Sequence, residues 1–255
     1  MASDPAQYLK FAGPRLRPAL DLLQRIDREA PATVYDLGAG AGNVTRLIAA
    51  RWPAARVVGV DGSAEMLARA AAENPAIEWQ QADLATWRPA LPAEIIYSNA
   101  ALHWLDDHDR LFRGLFGALA PQGVLAVQIP RNWGAPSHTL ITEVALGGPW
   151  RPVLEPLLRP SPVAEPEFYY DLLAPLAASL DIWETEYLQV LEGANPVKEW
   201  TKGTWLLPLL AALDEPERSR FEAAYAERVA AAYPPRRDGK TLFPFRRLFL
   251  IASAR

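Results

Sequence analysis

The chain predicts an α/β fold built on a mostly parallel sheet, and three observations carry that expectation. Short apolar runs alternate with helix-like patterns through the first half of the chain. Three of those runs end in an aspartate, at Asp36, Asp61 and Asp83. The first is followed almost at once by a glycine turn, Gly38-Ala39-Gly40-Ala41-Gly42. Alternating strands and helices imply parallel pairing through right-handed crossovers. Glycine supplies backbone conformations closed to other residues and lets a ligand touch the main chain.

Residues 6–25 read as helix in two pieces, broken at Gly13-Pro14. Thr33 to Gly38 is the first strand, with Val34, Tyr35 and Leu37 suited to a buried parallel strand. A helix follows over about residues 43–51 and closes at Trp52-Pro53. Arg56 to Asp61 is the second strand. Ser63 then suits an N-cap, with Glu65 at the positive end of the helix dipole and Met66, Leu67 and Ala70 inside. Ile77 to Ala82 and Glu94 to Asn99 are the third and fourth strands. Asp109 to Leu119 carries one apolar stripe, Leu111, Phe112, Leu115, Phe116 and Leu119, at helical spacing. Pro121-Gln122-Gly123 reads as its stop, and Val124 to Ile129 as the fifth strand.

The composition changes after this point. Nine prolines fall between Pro130 and Pro175, too many for long elements. A segment of this kind inside a compact domain is expected to be a lid, and Trp150, Phe168, Tyr169 and Tyr170 supply side chains to pack it. Leu180 to Leu191 reads as a long strand, Val197 to Leu210 and Pro216 to Tyr233 as helices, and Phe243 to Ala252 as a last strand. The two late strands are expected to pair antiparallel at the sheet edge. The whole, 1–255, is expected to be one domain, with a lid-like insertion at 131–175 and a helical cap at 195–235.

A chain of 255 residues, half of them hydrophobic, can bury a sizeable core. It has no cysteine, which excludes disulfides, thiolate metal sites and thiol nucleophiles. A net charge of −4 argues against nucleic acid as the partner. No apolar run approaches the roughly 20 residues of a membrane helix, and Met1-Ala2-Ser3-Asp4-Pro5 does not open a signal peptide. The expectation is a cytoplasmic protein, monomeric or weakly dimeric.

The aspartates would line the carboxyl edge of the sheet, where open α/β sheets bind ligands. Asp61 stands 23 residues after Gly38, near the spacing at which an acid reaches a nucleotide ribose. Asp83 is placed to accept from an adenine amine, and Asp36 to face an ammonium. The glycines spell GxGxG, whereas a dinucleotide site expects GxGxxG and a helix end aimed at pyrophosphate. That favours an amino-acid sulfonium over NAD.

Asp36 to Asn43 resembles the first motif of the Rossmann-like S-adenosylmethionine-dependent methyltransferases, and Asp61, Asp83 and the Asn99 region resemble the next three. The resemblance implies a mostly parallel seven-stranded sheet with helices on both faces and a C-terminal antiparallel strand. It also implies S-adenosyl-L-methionine as cofactor, held by Asp36, Gly38, Ala39, Gly40, Asp61, Gly62, Met66, Asp83, Leu84 and Asn99.

A closer similarity, to the trans-aconitate methyltransferases, spans nearly the whole chain. It rests on Gln7-Tyr8-Leu9-Lys10-Phe11, Arg15, Arg17-Pro18, Asp83-Leu84-Ala85-Thr86-Trp87, Gly123-Val124-Leu125-Ala126-Val127-Gln128, Gly147-Gly148-Pro149-Trp150, Glu199-Trp200, Lys202-Gly203-Thr204, Ala231-Ala232-Tyr233-Pro234-Pro235 and Arg247-Leu248-Phe249. It implies transfer of a methyl group to a carboxylate of a small polycarboxylate. Such an acceptor is already ionised at neutral pH, so no general base and no metal are expected; His103 and Trp104 would position. Bidentate arginine suits the remaining carboxylates, giving Tyr8, Arg15, Arg131, Asn132, Tyr170, Lys202 and Arg247 as substrate residues. His103 and Arg131 depart from the family's usual Gln and Asp and bear on which acid is preferred. Methylation of another small acid, and cofactor binding without catalysis, are the alternatives.

Overall fold

The computed structural model describes residues 12–255, with side chains from Leu16 onward. Its sheet is made of β1 (Thr33–Leu37), β2 (Arg56–Asp61), β3 (Glu78–Gln81), β4 (Ala93–Asn99), β5 (Leu119–Pro130), β6 (Ser179–Leu191) and β7 (Thr241–Ser253). The seven strands lie in the order β3-β2-β1-β4-β5-β7-β6. β1 to β5 pair in parallel, and β7 runs antiparallel to β5, from Val124 opposite Ser253 to Pro130 opposite Arg247. The seven-stranded, mostly parallel sheet and its antiparallel C-terminal strand are as expected.

The central strands are apolar on both sides. Val34, Leu37, Ile95, Ile96 and Leu125 are fully buried, which is what a parallel sheet flanked by helices requires. β3 sits at one edge with mostly exposed side chains, and Arg56 forms a two-pronged ion pair with Glu78 across it, at 2.7 and 2.9 Å. The helix Ala64–Glu73 starts as its sequence dictates: the Ser63 hydroxyl accepts from the Met66 N–H at 3.3 Å.

Three local expectations are corrected. The first helix does not break at Gly13-Pro14 but runs Ala12–Gln24. Pro14 lies in its first turn, where an N–H has no helical acceptor to lose; residues 6–11 lie outside the described residues. β5 begins at Leu119, so Pro121-Gln122-Gly123 lies inside the strand. A register shift between Ala93 and Ile95 of β4 accommodates it, with Gln122 at φ 59°, since a bulge tolerates a residue that cannot donate. The helix expected over 197–210 divides into Pro196–Lys202 and Leu207–Ala211. Gly203 follows the first piece, and Pro208 suits the start of the second.

The chain divides into two compact units. One comprises Leu16–Pro130, Pro162–Thr185 and Arg247–Arg255; the other, among the described residues, comprises Arg131–Ser161 and Glu186–Arg246. The lid expected over 131–175 therefore splits at Ser161, and its second part belongs with the first unit. The reason is Tyr169, in the helix Pro166–Leu173. Its ring is fully buried against Phe112, 4.9 Å between centroids, and its hydroxyl lies 2.6 Å from His108 Nδ1. His108 Nε2 faces the Leu102 carbonyl at 3.1 Å. A carbonyl only accepts, so Nε2 carries the proton and Nδ1 accepts from Tyr169. The tyrosine oxygen in turn accepts from the Ala164 N–H at 3.2 Å.

The second unit has its own core, in which Trp150, Trp200, Phe221, Tyr225, Phe243 and Phe245 are prominent. The helix Glu217–Ala232 is tied to the helix Pro136–Gly147 by the Tyr225 hydroxyl, which donates to the Ser137 carbonyl at 2.8 Å.

Candidate active site

The turn after β1 is held from behind by β2. The Gly38 and Ala39 N–H groups both donate to the Val60 carbonyl, at 2.8 and 3.1 Å, and Gly42 N–H closes the turn on Ala39 at 2.9 Å. Gly38 has φ +81° and Gly40 φ +54°, conformations that L side chains rarely adopt. Their surroundings differ. A Cβ on Gly38 would overlap the Ala101 side chain, whereas a Cβ on Gly40 would meet nothing within 4 Å. Gly38 is a packing glycine; Gly40 leaves backbone open to a ligand.

Asp61, at the end of β2, ties this turn to the next helix. One carboxylate oxygen accepts from Gly40 N–H and the other from Ser63 N–H, each at 2.8 Å. Each oxygen keeps a lone pair for a hydroxyl of a ribose. Asp83 is exposed, with one oxygen accepting from Ala85 N–H at 3.0 Å. Asn99 ends β4, and its side-chain oxygen is buried with no hydrogen-bond partner. Gly62, Met66 and Leu84 sit in the loop and helix start after β2 and in the loop after β3. Open backbone at Gly40, spare lone pairs on Asp61 and an unsatisfied acceptor at Asn99 fit an adenosyl amino acid laid across the carboxyl edge of the sheet.

Asp36 is the buried acid of the site, 2 % exposed. The Thr45 hydroxyl donates to its Oδ2 at 2.6 Å. Burial pushes its pKa up, the Thr45 hydrogen bond pulls it down and the nearby Asp61 charge raises it, with the result at about 7. Thr45 was not among the expected site residues. It is fully buried in the helix Thr45–Arg51, and nothing in its sequence setting marks it.

The expected acid-binding residues fall in both units. In the sheet unit, Arg247 on β7 is 3 % exposed and donates from Nη1 to Gln128 Oε1 at 3.2 Å. His103 and Trp104 lie in the tight turn Leu102–Trp104 after β4, with ring centroids 4.5 Å apart. Tyr170, expected to face the acid, is 56 % exposed; its neighbour Tyr169 takes the buried position on that helix.

In the other unit, the Arg131 N–H donates to the Arg246 carbonyl at 3.0 Å. Asn132 is spanned by two protein partners: its Nδ2 donates to Ser137 Oγ at 3.3 Å and its Oδ1 accepts from Arg246 N–H at 3.2 Å. These two bonds staple Asn132 to its neighbours and use one of the two Nδ2 hydrogens. Lys202, expected to hold a carboxylate of the substrate, pairs with Glu222 at 2.6 Å, with Lys198 on the same oxygen at 2.9 Å. Tyr8 and the Arg15 side chain lie outside the described residues. Among the described residues no group of acids and histidines could hold a metal ion.

The sheet order and the glycine turn define the class of S-adenosylmethionine-dependent methyltransferases, and a family model described as a methyltransferase domain matches residues 34–123. A trans-aconitate 2-methyltransferase of Azoarcus sp. (strain BH72) is 51 % identical over 249 residues, covering 98 % of each chain. One from Klebsiella pneumoniae (strain 342) is 45 % identical over 98 % of this chain and 96 % of its own. The chain belongs to the trans-aconitate 2-methyltransferase family. Among solved structures, the YcgJ protein of Bacillus subtilis shares the fold at TM-score 0.61 and 15 % identity, covering 94 % of this chain and 99 % of that one. A phosphoethanolamine N-methyltransferase of Haemonchus contortus, solved with S-adenosyl-L-methionine, shares it at TM-score 0.56 and 15 % identity, covering 94 % and 53 %.

Proposed function

We propose that the chain is an S-adenosylmethionine-dependent O-methyltransferase that esterifies a carboxylate of trans-aconitate or a closely related small polycarboxylate. The observation that carries this reading is the 51 % identity maintained over 98 % of both chains with a relative of that name. Identity of that extent covers the acid-binding segments as well as the cofactor turn.

When bound, the cofactor supplies a methyl group already activated by a positive sulfur. What the chain must do is bind, orient and exclude water. Gly40 gives close backbone approach, Asp61 takes the ribose hydroxyls, Asp83 the adenine amine, and Asp36 the ammonium end. Arg247 meets a carboxylate of the acid with a charge-assisted hydrogen bond, and His103 and Trp104 set its direction toward the methyl. A carboxylate of ordinary pKa near 4 is ionised at neutral pH, so its oxygen would take the methyl directly, with the sulfur keeping the electron pair of the C–S bond. No proton moves, and no side chain is needed as a base. Alignment of two bound reactants alone is worth roughly 7–11 kcal/mol, enough to make positioning the main device here.

Among the described residues, no helix is long and apolar enough to cross a membrane. The net charge of −4 supports a small-molecule partner over nucleic acid, and the reading places the enzyme in the cytoplasm. The test is transfer of labelled methyl from S-adenosylmethionine to trans-aconitate, cis-aconitate, citrate and isocitrate in parallel. Ester from trans-aconitate at the highest kcat/KM is expected. Ester from a different acid alone would move the substrate, and ester from none of them would overturn the reading.

A further inference from the structure

We propose that Gln128 is a second hydrogen-bond donor to the acid, working beside Arg247; this rests on the reading of Arg247 as a substrate residue. Gln128 lies near the carboxyl end of β5, directly across from Asn99 of β4 and Phe249 of β7 in the sheet register. It is 0 % exposed, and it is a lone amide in the apolar run Val124 to Ile129. Its Oε1 accepts from Arg247 Nη1 at 3.2 Å.

That contact settles which way the amide faces. A guanidinium has donors only, so the group turned toward it must be the oxygen. The NH2 is thereby fixed in another direction, and it is buried with no hydrogen-bond partner. Native interiors rarely leave such a donor unmet. The Asn99 oxygen, on the neighbouring strand, is an acceptor that is also unmet, so the two amides do not satisfy each other. A locked donor beside a buried arginine, at the sheet edge that carries the cofactor turn, matches the second oxygen of a carboxylate whose first oxygen meets Arg247. Neither group would hold a cation, and the pair would discriminate against an acceptor lacking the second oxygen.

Gln128→Glu tests the donor, and the side-chain amide resonance of the parent enzyme, given below, separates that loss from the effect of the added charge. It keeps an oxygen for Arg247, removes the N–H donor and adds a negative charge. Loss of a hydrogen bond to a charged group predicts a rise in KM for trans-aconitate of about tenfold or more, with the Kd of S-adenosylhomocysteine within about twofold of the parent. Arg247→Ala is the control. If Arg247→Ala raises the KM of the acid and Gln128→Glu does not, Gln128 only braces the arginine and the inference falls while the proposed function stands. If neither variant moves that KM, the reading of Arg247 falls too. A parallel loss of S-adenosylhomocysteine binding in Gln128→Glu would assign the donor to the cofactor and overturn the inference. Should Gln128→Glu not fold, the parent protein decides. In the 15N-labelled enzyme saturated with S-adenosylhomocysteine, trans-aconitate should displace the Gln128 side-chain amide resonance, and no displacement at saturating acid would overturn the proposal.

Discussion

Asp36 sits at the end of β1 with a threonine hydroxyl on one oxygen, a second carboxylate nearby and almost no access to water. With a pKa raised to about 7, mainly by burial, it holds a proton through much of the range below neutrality when no cofactor is bound. An ammonium group binds the ionised form, so binding must expel that proton. The sign follows: affinity for S-adenosylhomocysteine rises with pH up to about 7 and then levels, with a slope of at most about tenfold per pH unit on the acid side. Thr45→Val removes the hydrogen bond that lowers this pKa, so the levelling point should move to higher pH. Titration calorimetry between about pH 5.5 and pH 8 checks both expectations, and a Kd flat across that range in the parent would contradict them. The position of Asp36 was legible in the sequence because it precedes the glycines. Its protonation was not, because that depends first on burial and then on the opposing Thr45 hydrogen bond, nine residues along the chain and placed by the fold of the next helix.

At the scale of the element, the turn Gly38 to Gly42 combines two kinds of glycine that look alike in the sequence. Gly38→Ala meets both a left-handed φ and the Ala101 side chain. It should lower stability by more than the ~1–2 kcal/mol that left-handed strain alone carries. Gly40→Ala meets the strain but open space. It should unfold only slightly earlier, yet weaken S-adenosylhomocysteine binding by about tenfold or more, because its methyl occupies ligand space. Thermal unfolding and Kd measured on both variants would show it, and equal losses of binding at equal stability would contradict the distinction. The strands β1, β2 and β4 were readable because buried parallel strands are largely apolar, and β1 and β2 carry an aspartate at the end. The division of the 131–175 segment between the two units was not readable, for a different reason. Proline content marks 131–175 as irregular but not what it packs on, and that is decided by one buried tyrosine and its histidine, 61 residues apart.

For the whole molecule, the sequence shows the cofactor half more clearly than the acceptor half. A turn, a ribose acid and an adenine acid are local signals, each fixed by a few consecutive residues. Acid recognition as proposed draws on side chains far apart in the chain, and Arg247 meets Gln128 across 119 positions. Lys202 and Asn132 have the right chemistry for a carboxylate, and the fold also gives them Glu222, Ser137 and Arg246 as partners, which their sequence setting does not show. Gln128 leaves a sequence signal of its own, a single amide in an otherwise apolar strand. Esterification of the acid requires that the methyl leave sulfur for a carboxylate oxygen. S-adenosylmethionine carrying a 13C-labelled methyl, incubated with trans-aconitate and the enzyme, puts that to the test by NMR. A methoxyl resonance of a carboxylic ester, lost on alkaline hydrolysis with return of the free acid, is the predicted result. Label bound to carbon, or label that remains on the cofactor while the acid is demonstrably bound, would contradict it.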